Sequence, residues 1–115
     1  MSNNAIIYKQ LKHLGVPVSL LGYNYLKEAI SIVLKDPKAI NRMTKQVYPA
    51  IAEVYGSTAS RVERAIRHAV EHVFDHTGRN IVYEYFGNTN SGSGKLTNAQ
   101  FIAGVVEYIK MEDKV

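Results

Sequence analysis

The stretch Ser57–Asp75, STASRVERAIRHAVEHVFD, has the clearest helical pattern in the chain and decides its fold. Apolar residues recur in it every three or four positions, which places them on one side of a helix. These are Val62, Ile66, Ala69 and Val73. Both Thr58 and the capping-box sequence Ser60–Glu63 are suitable starting points, and Gly78 is a natural stop. We predict a helix from Thr58 to Asp75.

The opposite side of this helix is polar and carries positive charge, and we call it the polar face. Its members at 3.6 residues per turn are Ser60, Arg64, Arg67 and Glu71 at the centre, Arg61 and His68 on one edge, and Glu63 on the other. Arginine can donate two hydrogen bonds to guanine, and glutamate can accept one from cytosine, so the pattern suits a DNA major groove. The alternative is a solvated face with the intrahelical pairs Glu63–Arg67 and Arg67–Glu71.

The residues before this helix complete a helix-turn-helix arrangement. We predict a helix from about Thr44 to Tyr55, in which Pro49 either kinks the helix or resets its start. Gly56–Ser57 ends it, and the helix with the polar face follows. In such a motif the first helix braces the second, which contacts base edges. Hydroxyls at the start of the second helix, here Thr58 and Ser60, can bind phosphate.

Helical rather than strand periodicity continues through the rest of the chain. Further helices are predicted around Ile6–Leu14, Gly22–Lys35 and Asn80–Phe86, and from the capping box Thr97–Gln100 onward, with a short turn or helix at Lys38–Met43. Gly87–Gly94 has the composition of a polar loop. We therefore predict an all-α, compact six-helix domain over residues 1–115, containing a helix-turn-helix of the winged-helix-like or response-regulator effector class.

Composition supports one globular domain and permits a polyanionic partner without requiring one. The 115 residues are 46% hydrophobic and 21% charged, contain no cysteine and carry a net charge of +4. Positive charge is concentrated in the middle of the chain, where Lys35, Lys38, Arg42 and Lys45 precede the arginines of the polar face. The sequence lacks the pattern of a signal peptide or a membrane span. We expect a cytoplasmic, nucleoid-associated protein with no membrane partner.

Other patterns predict no catalytic, cofactor or metal site. His68, His72 and His76 recur every four residues, but they spread over about 12 Å, too far to share one ion as a trio. Gly92–Lys95 lacks two of the residues that a phosphate-binding loop requires, and no spacing suggests a Ser–His–acid set. We expect no enzymatic activity. Four tyrosines at apolar-periodic positions are predicted to pack in the core: Tyr25, Tyr48, Tyr55 and Tyr85.

The segment Ser57–Glu71 resembles the recognition helix of the stage-zero sporulation protein A family, the master response regulators of endospore formation. The resemblance covers nearly the whole chain, in order, through Gly15–Pro17, Gly22–Tyr23, Tyr25–Leu26, Glu28–Ser31, Tyr48–Pro49, Ile51–Ala52, Phe86–Gly87, Thr97–Asn98 and Phe101–Ala103. It implies a six-helix effector domain that binds a short asymmetric DNA box, often as tandem dimers. It also implies activation of some sporulation promoters and repression of others.

The resemblance implies roles for individual residues and partners. The positions matching the family's DNA contacts are Ser60, Arg61, Glu63, Arg64, Arg67 and His68. We expect Arg64 and Arg67 to carry most base discrimination, and Thr58 and Ser60 to position the helix on phosphate. Double-stranded DNA is the implied partner, with the sigma subunit of RNA polymerase and a second copy on tandem sites as further candidates. Phe101, Val105 and Ile109 suit either dimer contacts or, more commonly, the core.

Two features depart from the family pattern. The family's full-length members carry an N-terminal receiver domain, which we do not find in this chain, so it is either an excised domain or a receiver-less relative. Such a relative could act as a repressor or antagonist at the same boxes. The region that contacts the sigma subunit in the family matches poorly at His72–Asn80 and Val82–Tyr85. A further alternative is a protein-interaction module whose arginines bind an acidic partner.

Overall fold

The computed structural model describes residues 3–87 and 95–113, and most of them are helical. Six α-helices and two short helical turns follow one another: α1 Asn3–His13, α2 Leu21–Lys35, a 3-10 turn Pro37–Arg42, a π turn Met43–Val47, α3 Tyr48–Tyr55, α4 Ala59–His76, α5 Arg79–Phe86 and α6 Asn98–Asp113. The described residues contain no strand. The predicted six-helix all-α fold is confirmed, whereas the predicted polar loop falls, apart from Gly87, outside the described residues.

Helix α2 lies at the centre of the fold and packs against α1, α3, α4 and α6. Its apolar residues Leu26, Ala29, Ile30 and Val33 are buried and meet the buried side of α6 in one continuous core. Phe101, Val105 and Ile109 of α6 are at most 5% exposed. They therefore belong to the core, and a second copy of the chain could not bind through them without opening the fold. Among the described residues, no helix combines the length and apolar composition needed to span a bilayer.

Helices α2 and α4 approach each other more closely than side chains would normally allow. A Cβ atom placed on Gly22 would lie 2.2 Å from the carbonyl oxygen of Ala65 and 3.1 Å from the Cβ of Ala69. Only glycine fits here, because backbone atoms cannot move aside as a flexible side chain can. The start of α2 thus fixes the middle of α4.

Pro49 resets the start of a helix and does not kink it. It occupies the first turn of α3, where its missing amide leaves no intrahelical hydrogen bond unmade. The preceding turn widens, and the amide of Tyr48 donates to the carbonyl oxygen of Met43, five residues back. Of the two outcomes predicted for Pro49, the reset is confirmed: α3 begins at Tyr48, and a π turn occupies Met43–Val47 where the helix was predicted to start near Thr44.

Three of the four tyrosines predicted to lie in the core do so. Tyr25, Tyr48 and Tyr85 are buried, but Tyr55 is 40% exposed and its prediction is wrong. Tyr55 is the last residue of α3 and lies beside the turn at Gly56. Its ring packs edge-on against that of Tyr25, with 5.2 Å between the ring centroids.

Polar side chains of α1, α5 and α6 meet on one side of the fold, and we call this group the α1–α5–α6 network. It consists of Gln10, His13, Glu84, Tyr85 and Tyr108. The Tyr85 hydroxyl donates to Gln10 Oε1. Glu84 accepts from the Tyr108 hydroxyl at 2.6 Å and lies 3.5 Å from Nε2 of His13. The bond from Tyr108, followed by His13, holds the pKa of Glu84 below its usual value.

Candidate nucleic-acid interface

A tight turn joins α3 to α4 and gives the helix-turn-helix its angle. Gly56 is in the left-handed conformation, with φ 62° and ψ 40°, and its amide donates to the carbonyl oxygen of Ala52. Thr58 then caps α4, because its Oγ1 accepts from the amide of Arg61 at 3.2 Å. The alternative start at Ser60 is wrong, since Ser60 already lies within the helix.

The two sides of α4 separate as the periodicity predicts. Val62, Ile66, Ala69 and Val73 are at most 1% exposed and pack on the core. The polar face points away from them: Ser60, Arg61, Arg64, Arg67 and His68 are exposed, and Glu63 and Glu71 are half-buried. The close packing of the buried side determines which side of α4 faces solvent.

The cations of the polar face differ in their contacts. Arg67 Nη1 donates to Glu63 Oε2 at 3.2 Å, one turn earlier on the helix. The side chains of Arg61, Arg64 and His68 have no hydrogen-bond or ion-pair partner within residues 3–87 and 95–113. The second pair that a solvated face would allow, Arg67–Glu71, is likewise not formed there. An exposed pair such as Glu63–Arg67 contributes only about 0.3–0.5 kcal/mol, so Arg67 can leave it at little cost.

A groove of about 630 Å³ runs along the Arg61 and His68 edge of the polar face. The start of α2 forms its far wall, where Leu20 and Leu21 line it with apolar surface. Leu21 is 67% exposed, so this wall presents apolar surface to solvent. The sequence did not indicate this wall, because α2 was predicted to start at Gly22. The available signal for this wall was the pair Leu20 and Leu21, two apolar residues directly before the predicted start of α2.

On the opposite edge, near Glu63, the first residue of α6 contacts α4. The Nδ2 atom of Asn98 donates to the Tyr48 hydroxyl at 3.0 Å and to the backbone carbonyl oxygen of Glu63 at 3.2 Å. Burial raises the pKa of Tyr48, and the bond from Asn98 offsets part of that rise. The Tyr48 hydroxyl therefore stays neutral across the physiological range. The sequence marked Asn98 only as part of a family resemblance, because its partners are distant in the chain.

Other sequence candidates lie elsewhere on the surface. The four cations Lys35, Lys38, Arg42 and Lys45 are exposed on the end of α2 and the two turns after it, not on α4. His72 and His76 stack at 4.2 Å between ring centroids, and Nδ1 of His76 donates to the carbonyl oxygen of His72. Within the described part of the chain, no three His, Cys, Asp or Glu side chains are grouped to hold a metal ion.

Comparison with known protein families identifies the family of this chain. The family model of the sporulation initiation factor Spo0A C terminal matches residues 7–109. The matched span takes in α2 to α5 entirely and most of α1 and α6, together with the turn at Gly56 and every residue of the polar face. The chain therefore belongs to the Spo0A C-terminal family, the DNA-binding effector domains of sporulation regulators.

Proposed function

We propose that α4 lies in the major groove of a short DNA box and that the polar face discriminates its bases. Arg64 and Arg67 donate to guanine edges, while Glu63 is placed to accept from cytosine. Thr58 and Ser60, at the start of α4, position the helix on phosphate, with Arg61 and His68 along the same edge. The observation that carries the proposal is that the side chains of Arg61 and Arg64 are exposed and have no partner among the described residues, on a helix whose opposite side is buried.

The solvated-face alternative explains less of this arrangement. A face adapted only to water would be expected to pair its charges along the helix, yet Glu63–Arg67 is the sole such pair among its described residues. Cations without a protein partner remain available to phosphate and base edges. The Glu63–Arg67 pair itself is exposed enough to open when DNA offers Arg67 a stronger acceptor.

We further propose that binding of this kind controls sporulation genes, by activation, repression or both. A receiver-less relative that blocks the same boxes would use the same polar face and differ only in the effect of binding on transcription. A second copy on tandem sites would contact through surfaces other than the buried side of α6. The end of α4 and α5 are the candidate contact for the sigma subunit of RNA polymerase. Residues 1–115 would act as one effector unit in each case.

Fluorescence anisotropy tests the proposal directly. The chain is titrated against a duplex carrying the family's box and a scrambled duplex, at two salt concentrations. We expect a strong preference for the box. It should persist when higher salt lowers the affinity for both duplexes, because base contacts survive when phosphate contacts are screened. Equal weak binding to both duplexes, lost at higher salt, would refute DNA discrimination and favour an acidic protein as the partner.

The polar face is tested by replacing one arginine on it and one away from it. Arg64→Ala should weaken box binding by about 1–3 kcal/mol and relax preference at one base position, since one bidentate contact is lost. Arg79→Ala, at the exposed start of α5, is the matched control and should leave box preference unchanged. If Arg64→Ala retained full discrimination between bases, the assignment of the polar face would be wrong.

A further inference from the structure

We infer that Asn98 is a positioning residue for DNA recognition: its side chain sets the rotation and height of α4 and thereby how accurately the polar face meets the bases. This inference rests on the proposed function, which it deepens by naming a residue that touches no DNA. It concerns the contact between α6, α3 and α4 on the Glu63 edge of the polar face.

Both amide protons of the Asn98 side chain are in use. One is donated to the Tyr48 hydroxyl of α3 and the other to the carbonyl oxygen of Glu63 in α4. These partners lie 50 and 35 residues away in the chain, and Asn98 itself is only 8% exposed. A buried amide with two directional bonds has one orientation, so it holds three helices in a fixed relation.

The bonded carbonyl belongs to a residue of the polar face. Glu63 precedes Arg64 directly and lies one turn before Arg67, its ion-pair partner. A rotation of α4 by about 10° would move atoms some 6 Å from the helix axis by roughly 1 Å. Contacts to base edges tolerate displacements of only about 0.5 Å. A small loss of orientation at Glu63 would therefore appear as lost base discrimination before it appeared as lost binding.

The two edges of α4 are held by different kinds of contact. On the Ala65 side, the backbone of α2 at Gly22 touches α4, which sets a distance but has no directional bond. On the Glu63 side, Asn98 supplies a directional bond. Helix α6 itself begins with a separate reciprocal cap that does not involve the Asn98 side chain: the amide of Thr97 donates to Gln100 Oε1 at 2.9 Å, and the amide of Gln100 donates to Thr97 Oγ1 at 3.1 Å.

The test compares Asn98→Ala with Thr97→Ala in the full chain. Asn98→Ala removes both donors, while Thr97→Ala damages the cap of the same helix without touching α4. Binding to box and scrambled duplexes is measured at a temperature where circular dichroism shows each variant folded. We expect Asn98→Ala to lower the box-to-scrambled ratio by about three- to tenfold, the equivalent of one or two hydrogen bonds. The salt slope should stay as in the parent, because no phosphate contact is lost. Thr97→Ala should lower the Tm with a ratio within about twofold of the parent.

Asn98→Asp is the second variant, in case the alanine variant does not fold. It keeps the side chain's size, and its charge suits the first turn of α6, but it cannot donate to Glu63. It too should lower the ratio, whereas a ratio equal to that of Thr97→Ala would overturn the inference. Tyr48→Phe, which leaves the bond to Glu63 intact, should cost less than either Asn98 variant. If the parent chain itself showed no box preference, the proposed function would fail; a parent with preference and unaffected Asn98 variants would refute this inference alone.

Discussion

The polar face of α4 and the α1–α5–α6 network differ in how completely their polar groups are paired. In the network, Gln10, Glu84 and both tyrosines satisfy one another across three helices. On the polar face, the side chains of Arg61 and Arg64 have no hydrogen-bond or ion-pair partner within the described residues. The difference separates two uses of polar side chains. Groups that pair internally fix the relation between helices, whereas cations left without a protein partner are available to an external one.

The largest expected effect comes from the support behind the polar face. Gly22→Ala would place a methyl group 2.2 Å from a backbone oxygen of α4, so one of the two helices must shift. We expect the free energy of unfolding to fall by about 1–3 kcal/mol or more. Box binding should weaken as well, because α4 moves with its backbone. Urea unfolding and anisotropy on the same preparation measure both quantities.

Gly78→Ala is the matched control, because the atom nearest its new methyl group belongs to the Asn80 side chain, which can turn away. It should change the urea midpoint far less. Equal midpoints for the two glycine variants would mean that the contact between α2 and α4 tolerates a side chain, and the close approach would lose its significance.

A change in the α1–α5–α6 network should affect stability and spare DNA binding. Tyr85→Phe removes the hydroxyl that donates to the buried Gln10, leaving an acceptor without a donor. We expect a loss of about 1–3 kcal/mol in the free energy of unfolding, with the same urea slope and unchanged box preference. Tyr83→Phe, on an exposed tyrosine of the same helix, should be nearly neutral. A loss of box preference in folded Tyr85→Phe protein would erase the distinction between the two regions.

The smallest effect concerns acid. The hydrogen bond from Tyr108, followed by His13, holds the pKa of Glu84 below its usual 4.5. The ionised Glu84 carboxylate therefore contributes its full stabilisation of the folded state at pH values above 4.5. It is lost as the pH falls from there through the lowered pKa. Glu84→Gln should therefore flatten the acid side of the stability profile, measured by urea midpoints between neutral pH and about pH 3. Glu53→Gln, on the exposed surface of α3, is the control, and a parallel flattening in it would remove Glu84 as the cause.

Local patterns predicted the parts of the fold that local forces decide. The periodicity of Ser57–Asp75 identified the buried side of α4, and the spacing of Thr97 and Gln100 identified the cap of α6. Pro49 left two outcomes open, since a proline can kink a helix or start one, and only the packing of the preceding turn selects between them. Tyr55 follows an apolar period yet lies where the helix ends, so periodicity alone placed it wrongly.

The supports of the polar face required contacts between distant residues. Asn98 bonds to residues 35 and 50 positions away, and nothing near it in the chain distinguishes it from an ordinary first residue of a helix. Gly22 has a negative φ, so no turn demands glycine there; the demand comes from Ala65 across the helix contact. Both residues were visible as parts of a family resemblance, but their physical purpose needed the tertiary structure.

The turn at Gly56 has a consequence for how sequences of this kind can diverge. Its φ is positive, yet a Cβ atom there would meet nothing within 4 Å. Only the left-handed backbone conformation therefore opposes a side chain at position 56. Asparagine and aspartate adopt that conformation more readily than other residues with a side chain. We expect drift among these three residues to leave the angle between α3 and α4 unchanged. A search that demanded glycine at this turn would overlook relatives that bend the chain in the same way.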